Sequence, residues 1–153
     1  MLVLTLPTTE TVDCDILIIG GGMSGCGAAF ESKYWSGDLK VVMVEKAVIE
    51  RSGATGEGLS AINCYMGQRN GWNTPEDFVH YVVNDMMGLA REDLVYDVGR
   101  HVDNSVHLLE EWGLPIWKKD NGEYERVGRW QIPIHGESIK PIAAEPARTA
   151  IGP

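Results

Sequence analysis

Four consecutive apolar residues, Ile16 to Ile19, run into Gly20-Gly21-Gly22, and Gly25, Gly27, Ala28 and Ala29 follow at once. The apolar run predicts a buried strand over residues 14–20, and the small residues predict a helix from Gly22 to about Tyr34 packed close against it. "SGD" at Ser36 to Asp38 reads as a turn, and "LKVVMVEK", Leu39 to Lys46, as a second, parallel strand. Together these make one β-α-β unit of about thirty residues. Ala47 to Asn73 is spaced by glycines and shows no clear period. A segment of that length without structure in a compact domain is functional, disordered or wrongly read. Thr74-Pro75-Glu76-Asp77 predicts a helix start, with a capping hydroxyl, proline at the first helical position and acids in the first turn. Phe78, Val79, Val82, Val83 and Met86 then share a helical face. Leu94, Val98, Val102, Val106, Leu109 and Trp112 follow at steps of three and four, and Gly113 ends that helix. Asn121-Gly122 predicts a hairpin. Ser138 opens a last helix, in which Pro146 is expected to remove a hydrogen bond and introduce a kink.

Composition narrows the function classes. The 153 residues are 44% hydrophobic and 23% charged, ordinary for a globular domain, and the net charge is −9. That excess of carboxylates repels phosphate backbones and argues against nucleic acid as a partner. No apolar run approaches the roughly 20 residues of a transmembrane segment. The opening "MLVLTLPTTETVD" lacks the basic and long apolar regions of a signal peptide, so the expected location is cytoplasmic. Cys14, Cys26 and Cys64 are scattered, with no C-x-x-C pair to seed zinc or an iron–sulfur cluster. Each reads as a small buried hydrophobe, and no metal site is expected. A doubly wound sheet needs about five or six strands, and only two convincing parallel ones are present. The expected fold is therefore α/β and Rossmann-like, with residues 1–12 a flexible lead-in. Residues 13–153 would be a partial dinucleotide-binding domain, truncated at its C-terminal side, the N-terminal portion of something larger.

A lone G-x-G-x-x-G is weak, but here it follows an apolar strand and opens a small-residue helix. Gly20 allows the tight turn, Gly22 lets backbone approach a pyrophosphate, and Gly25 lets helix pack against strand. The helix N-terminus offers unpaired N–H groups and positive potential to the phosphates. Glu45, 20 residues beyond Gly25 at the end of the next strand, is placed to accept hydrogen bonds from ribose hydroxyls and disfavours a 2′-phosphate. The turn alone does not choose between FAD and NAD.

The following segment, "ERSGATGEGLSAIN", resembles the second flavin-contacting stretch of the fumarate reductase/succinate dehydrogenase flavoprotein superfamily. "RSGATGEGLSAINCYMG", "TPEDFVHYVVNDMMGLAREDLVYD" and "WQIPIHGESIKPIAAE" together resemble dissimilatory adenylylsulfate (APS) reductase alpha subunits, from about Cys14 to Gly152. The resemblance implies a Rossmann-like FAD-binding domain belonging to a longer flavoprotein. It implies reversible reduction of adenylylsulfate to AMP and sulfite through a flavin–sulfite adduct, with electrons arriving from 4Fe–4S clusters on a separate beta subunit. It carries Gly20, Gly22, Gly25 and Glu45 onto the adenosine-diphosphate site. Ser52, Gly53, Ala54, Thr55 and Gly58 fall along the ribityl chain and isoalloxazine, and Ser24, Lys46, Leu59 and Ser60 join them as cofactor-binding residues. Asn63 and Glu137 are implied as the catalytic pair, near flavin and sulfate. The flavin-linking histidine that follows "RS" in succinate dehydrogenases is replaced by Gly53, so FAD is expected to be held non-covalently.

Other readings remain. Asn63 by itself is as readily a loop-capping amide, and Glu137 a solvated surface acid. His135 and Arg129 are neighbours that a sulfate or phosphate would attract. The alternative functions are a fumarate reductase or L-aspartate oxidase type of flavoprotein acting on dicarboxylates, or a non-catalytic dinucleotide-binding module. The family's later catalytic residues have no counterpart here, so the chain alone is expected to be inactive.

Overall fold

The computed structural model describes residues 9–152. Strand β1 (Ile16–Ile19) pairs in parallel with β2 (Val41–Val44), Ile16 opposite Val41 and Ile19 opposite Val44. Both strands are shorter than the pattern predicts. Beyond Ile19 the chain turns at Gly20 (φ +94°), and beyond Val44 the Glu45 side chain bends back to the glycines. Helix α1 (Met23–Ser36) starts on Gly22 and stops at Gly37, whose φ of +60° no β-carbon readily tolerates. Of the expected lead-in, residues 1–8 lie outside the described residues, and residues 9–12 form no regular element.

Helix α1 packs on the last helix, α4 (Ile139–Ile151). Their seam is made of small side chains: Cys26, Ala29, Ala143, Ala144 and Ala147 are all buried, with Ile18 and Val41 beneath. Methyl-sized side chains let the two backbones come close, so apolar area is removed from water without long rotamers to order. Helix α4 runs on through Pro146, whose missing N–H leaves the Ile142 carbonyl without its usual helical partner.

Helices α2 (Pro75–Asp85) and α3 (Glu92–Glu111) pack on each other. The start of α2 is a reciprocal cap: Thr74 Oγ1 accepts from the Asp77 N–H at 3.2 Å, and the Asp77 carboxylate accepts from the Thr74 N–H at 3.0 Å. The apolar stripes need correction. Met86, Leu94 and Val98, assigned inward by spacing, are about half exposed. The inward stripe of α3 is Val95, Gly99, Val102, Asp103 and Val106. Gly99 sets this rotation, because a β-carbon there would stand 3.1 Å from Pro75 Cα.

The patternless 47–73 segment is tied down by distant partners. It holds three short 3-10 turns (Ile49–Arg51, Ala54–Glu57, Gln68–Asn70) and β3 (Ala61–Ile62), antiparallel to β4 (Ile132–Pro133). Its centre, Tyr65 and Met66, is buried. The Asp103 carboxylate accepts from the backbone N–H groups of Met66 (2.7 Å) and Gln68 (2.8 Å). The predicted hairpin forms, with Lys118 opposite Tyr124 and Gly122 at φ +83°.

Candidate functional site

The site grows from one peptide unit, Gly21. Its N–H donates to Glu45 Oε2 at 2.5 Å. Its carbonyl accepts from Ser52 Oγ at 2.8 Å and from the Cys26 thiol at 3.4 Å. Glu45 Oε1 accepts from the Ala47 N–H at 2.9 Å. The Gly21 and then the Ala47 hydrogen bond hold the Glu45 carboxyl below its ordinary range, so it is ionised at neutral pH. Each carboxylate oxygen keeps a second lone pair, the capacity ribose hydroxyls would need. Gly25 has no freedom to be anything else, since its β-carbon would fall 1.9 Å from the Gly20 carbonyl oxygen.

The N-terminus of α1 is uncapped. Gly22 brings no side chain, no acid stands in the first turn, and Ser24 there is exposed. The first N–H groups are thus free for an anion. Against this turn lies a second glycine. A β-carbon on Gly53 (φ +78°) would sit 2.9 Å from Gly22 Cα, so the two segments touch backbone to backbone. Ser52 is buried, Ala54 and Lys46 are exposed, and the Thr55 hydroxyl is buried with no partner among the described residues. An uncapped helix, glycines that leave no room for a β-carbon and an orphaned hydroxyl are what a dinucleotide cofactor would use.

Further along, the same strip is sewn to residues 134–137. The Leu59 N–H donates to the Gly136 carbonyl at 3.2 Å, and the Ile134 N–H to the Ser60 carbonyl at 3.0 Å. Gly58 (φ +94°) lies so close that its β-carbon would meet Glu137 Cα at 2.9 Å. A cavity of about 310 Å³ opens here, lined by Gly58, Leu59, Ser60, His135 and Glu137 among others. Glu137 is exposed and makes no ion pair among the described residues. The His135 ring lies 5.1 Å from that of Trp117.

Asn63 is exposed just past β3 and is not among the cavity's lining residues. The register puts it off the Ile132 end of the ribbon, whereas Glu137 lies off the other end. Arg129 is committed elsewhere: Nε donates to Asn73 Oδ1 at 2.7 Å and Nη2 pairs with Asp77 at 2.8 Å. Sequence reasoning passed over Lys140, which is wholly buried beside Cys26. Its signal was positional, since 140, 143, 144 and 147 fall on one helical face and the other three are alanines.

A second cavity, of about 370 Å³, lies among Tyr65, His107, Glu110, Lys118 and Tyr124. Its groups satisfy one another: Tyr124 donates to Glu110, Lys118 pairs with Glu110 at 2.5 Å, and His107 Nδ1 is 3.0 Å from the Tyr124 hydroxyl. Burial, helped by the Asp103 charge, pushes Tyr65 up to about 12. This polar cluster knits α3 to the hairpin, and the glycine in its wall, Gly122, belongs to the hairpin turn and opens no helix.

Comparison with known proteins agrees with the glycine geometry. The family model described as FAD binding domain matches residues 15–145. Adenylylsulfate reductase subunit alpha of Megalodesulfovibrio gigas is 50% identical over 90% of this chain and 24% of its own length. The structure of adenylylsulfate reductase from the hyperthermophilic Archaeoglobus fulgidus superposes with a TM-score of 0.88 at 63% identity, covering 94% of this chain and 23% of that one. An adenosine-5-phosphosulfate reductase in complex with sulfite, a covalent adduct, gives 0.88 at 64% over the same shares. The chain thus spans about a quarter of the relatives it matches. This chain belongs to the FAD-binding domain family, and adenylylsulfate reductase alpha subunits are among its homologues.

Proposed function

We propose that this chain, over residues 13–153, is the FAD-binding part of an enzyme that reversibly reduces adenylylsulfate to AMP and sulfite. The observation that carries the reading is the seam between the two glycine segments and the Glu137 strip, in a chain homologous to a sulfite-bearing reductase. FAD, when bound, supplies two-electron chemistry at sulfur.

The residues of this chain do the holding. Gly20, its own N–H given to the Val44 carbonyl at 2.8 Å, would make the tight turn, Gly22, Ser24 and Gly25 would present backbone N–H groups to the pyrophosphate, and Glu45 would take the ribose hydroxyls, with Lys46 beside it. Ser52, Gly53, Ala54, Thr55, Gly58, Leu59 and Ser60 keep side chains small or backbone exposed where a flat ring must lie. The Asn63 amide donates to sulfate oxygens without adding charge. Glu137, at the cavity wall, would be the group that delivers a proton as sulfite leaves. Such fixed groups replace water around a crowded anion and are worth several kcal/mol. Electrons come from an iron–sulfur beta subunit, in keeping with the lack of a C-x-x-C pair here. Among the described residues no helix is long and apolar enough to cross a membrane, which suits a cytoplasmic enzyme.

The test compares substrates. In the full-length polypeptide carrying this sequence, with its partner, AMP plus sulfite should reduce ferricyanide while succinate should not. The 153-residue chain alone should do neither. Turnover of succinate or fumarate without turnover of AMP plus sulfite would move the enzyme to the dicarboxylate branch. A bound flavin inert to both would make it a binding module.

A further inference from the structure

Lys140 is 0% exposed, yet among the described residues no carboxylate lies within hydrogen-bond distance of it. Its ammonium donates to Cys26 Sγ at 3.3 Å and to the Ile49 carbonyl. Neither partner is an anion. Cys26 in turn gives its own S–H to the Gly21 carbonyl. The carboxylate nearest in sequence to Ile49, Glu50, pairs with Arg148 and feels the Lys140 charge only from beyond ion-pair distance. A buried cation with no direct ion pair is costly and is retained only where something repays it. What surrounds this one is the glycine turn. Cys26 joins Lys140 to Gly21, and Ile49 joins it to the loop whose Ser52 also bonds Gly21.

We propose that Lys140 is a positioning residue for the cofactor's pyrophosphate, its buried ammonium supplying, from beneath the glycine turn, the counter-charge for that anion. The proposal rests on the reading of Gly20 to Gly25 as the pyrophosphate cradle. The charge adds to the positive end of α1 from the protein side, where water cannot screen it. Its tether also fixes the distance between the two glycine segments, because Ile49 and Cys26 belong to opposite sides of the cradle. Direct contact with phosphate is not required, since in a low-dielectric interior the attraction acts over several ångströms.

The test is an equilibrium titration of FAD into deflavinated full-length protein at several salt concentrations. Lys140→Met should bind FAD about tenfold more weakly at every salt concentration, because salt hardly screens a buried charge, and Lys140→Arg should recover most of the affinity. Should Lys140→Met fail to fold, Cys26→Asp decides the matter: it keeps the ammonium but neutralises it with a fixed carboxylate, and must also weaken FAD, whereas Cys26→Ser must not. Unchanged FAD affinity in Lys140→Met, or in Cys26→Asp, would overturn the proposal. So would an Arg variant as weak as the Met variant, which would make the role one of shape. If the unaltered protein takes up no FAD at all, the cradle reading itself fails, a result distinct from either.

Discussion

Where α1 leaves the glycine turn, a bare glycine lets backbones come together; where α3 meets the 65–73 loop, a single buried carboxylate does it. The first contact has no room for a β-carbon at Gly25. The second is polar and depends on bonds to two backbone N–H groups. The two should therefore fail in opposite ways: the cofactor side to an added methyl group, the helical side to a removed oxygen.

The largest effect is expected from Gly25→Ala, whose new carbon would overlap the Gly20 oxygen at 1.9 Å. Moving backbone to relieve that contact should cost about 3 kcal/mol, read as a drop of roughly 6–12 °C in Tm. Asp103→Ala leaves two N–H groups unpaired, one of them buried, and should cost about 2–3 kcal/mol in urea denaturation, with Asp103→Asn milder because one acceptor remains. If Asp103→Ala proved harmless while an added methyl at Gly25 did not, the polar half of the contrast would be wrong. Asn63→Ala and Glu137→Gln should keep normal FAD content yet lose at least about tenfold in rate, roughly 1.4 kcal/mol. A Glu137→Gln enzyme at full rate across the pH range would return that residue to a surface acid. Thr74→Ala removes one half of the α2 cap and should cost about 1 kcal/mol. The smallest effect belongs to Glu45. Its folded pKa lies below the usual 4.5, so its contribution is present above that value and fades as pH falls through the folded pKa. The stability difference between the parent and Glu45→Gln should accordingly vanish in acid, and a difference that grew on acidification would contradict the hydrogen bonds drawn to Gly21 and Ala47.

These contrasts also explain what the chain could reveal in one dimension. The β-α-β unit is local: its strand, turn and small-residue helix are neighbours in sequence, so period and glycine spacing place it to within a few residues. The start of α2 is local too, four residues from Thr74 to Asp77. By contrast the 47–73 segment is ordered by Asp103, Arg129, Ile132 and Gly136, which lie far along the chain and leave no periodic trace. The inward face of α3 is legible only in its second half for the same reason. Val102, Val106 and Leu109 pack inward as the spacing predicts, but at the start of the helix Val95 and Gly99 replace Leu94 and Val98, where Gly99 closely approaches Pro75. At the candidate site, the glycines were legible because only a bare backbone serves there. Lys140 was hidden because a lysine on a helix ordinarily faces water.

The central claim, that the two glycine segments jointly hold one FAD without a covalent bond, is tested most directly by counting flavin. Full-length protein carrying this sequence should contain one FAD per chain, and acid should release all the yellow colour into the supernatant. Within this chain a β-carbon at Gly22 meets Gly53 only at an ordinary 3.6 Å, so a folded Gly22→Val protein should lose FAD through the space denied to the pyrophosphate. A Gly22→Val protein with full flavin content, or colour that stays with the precipitated polypeptide, would contradict the claim.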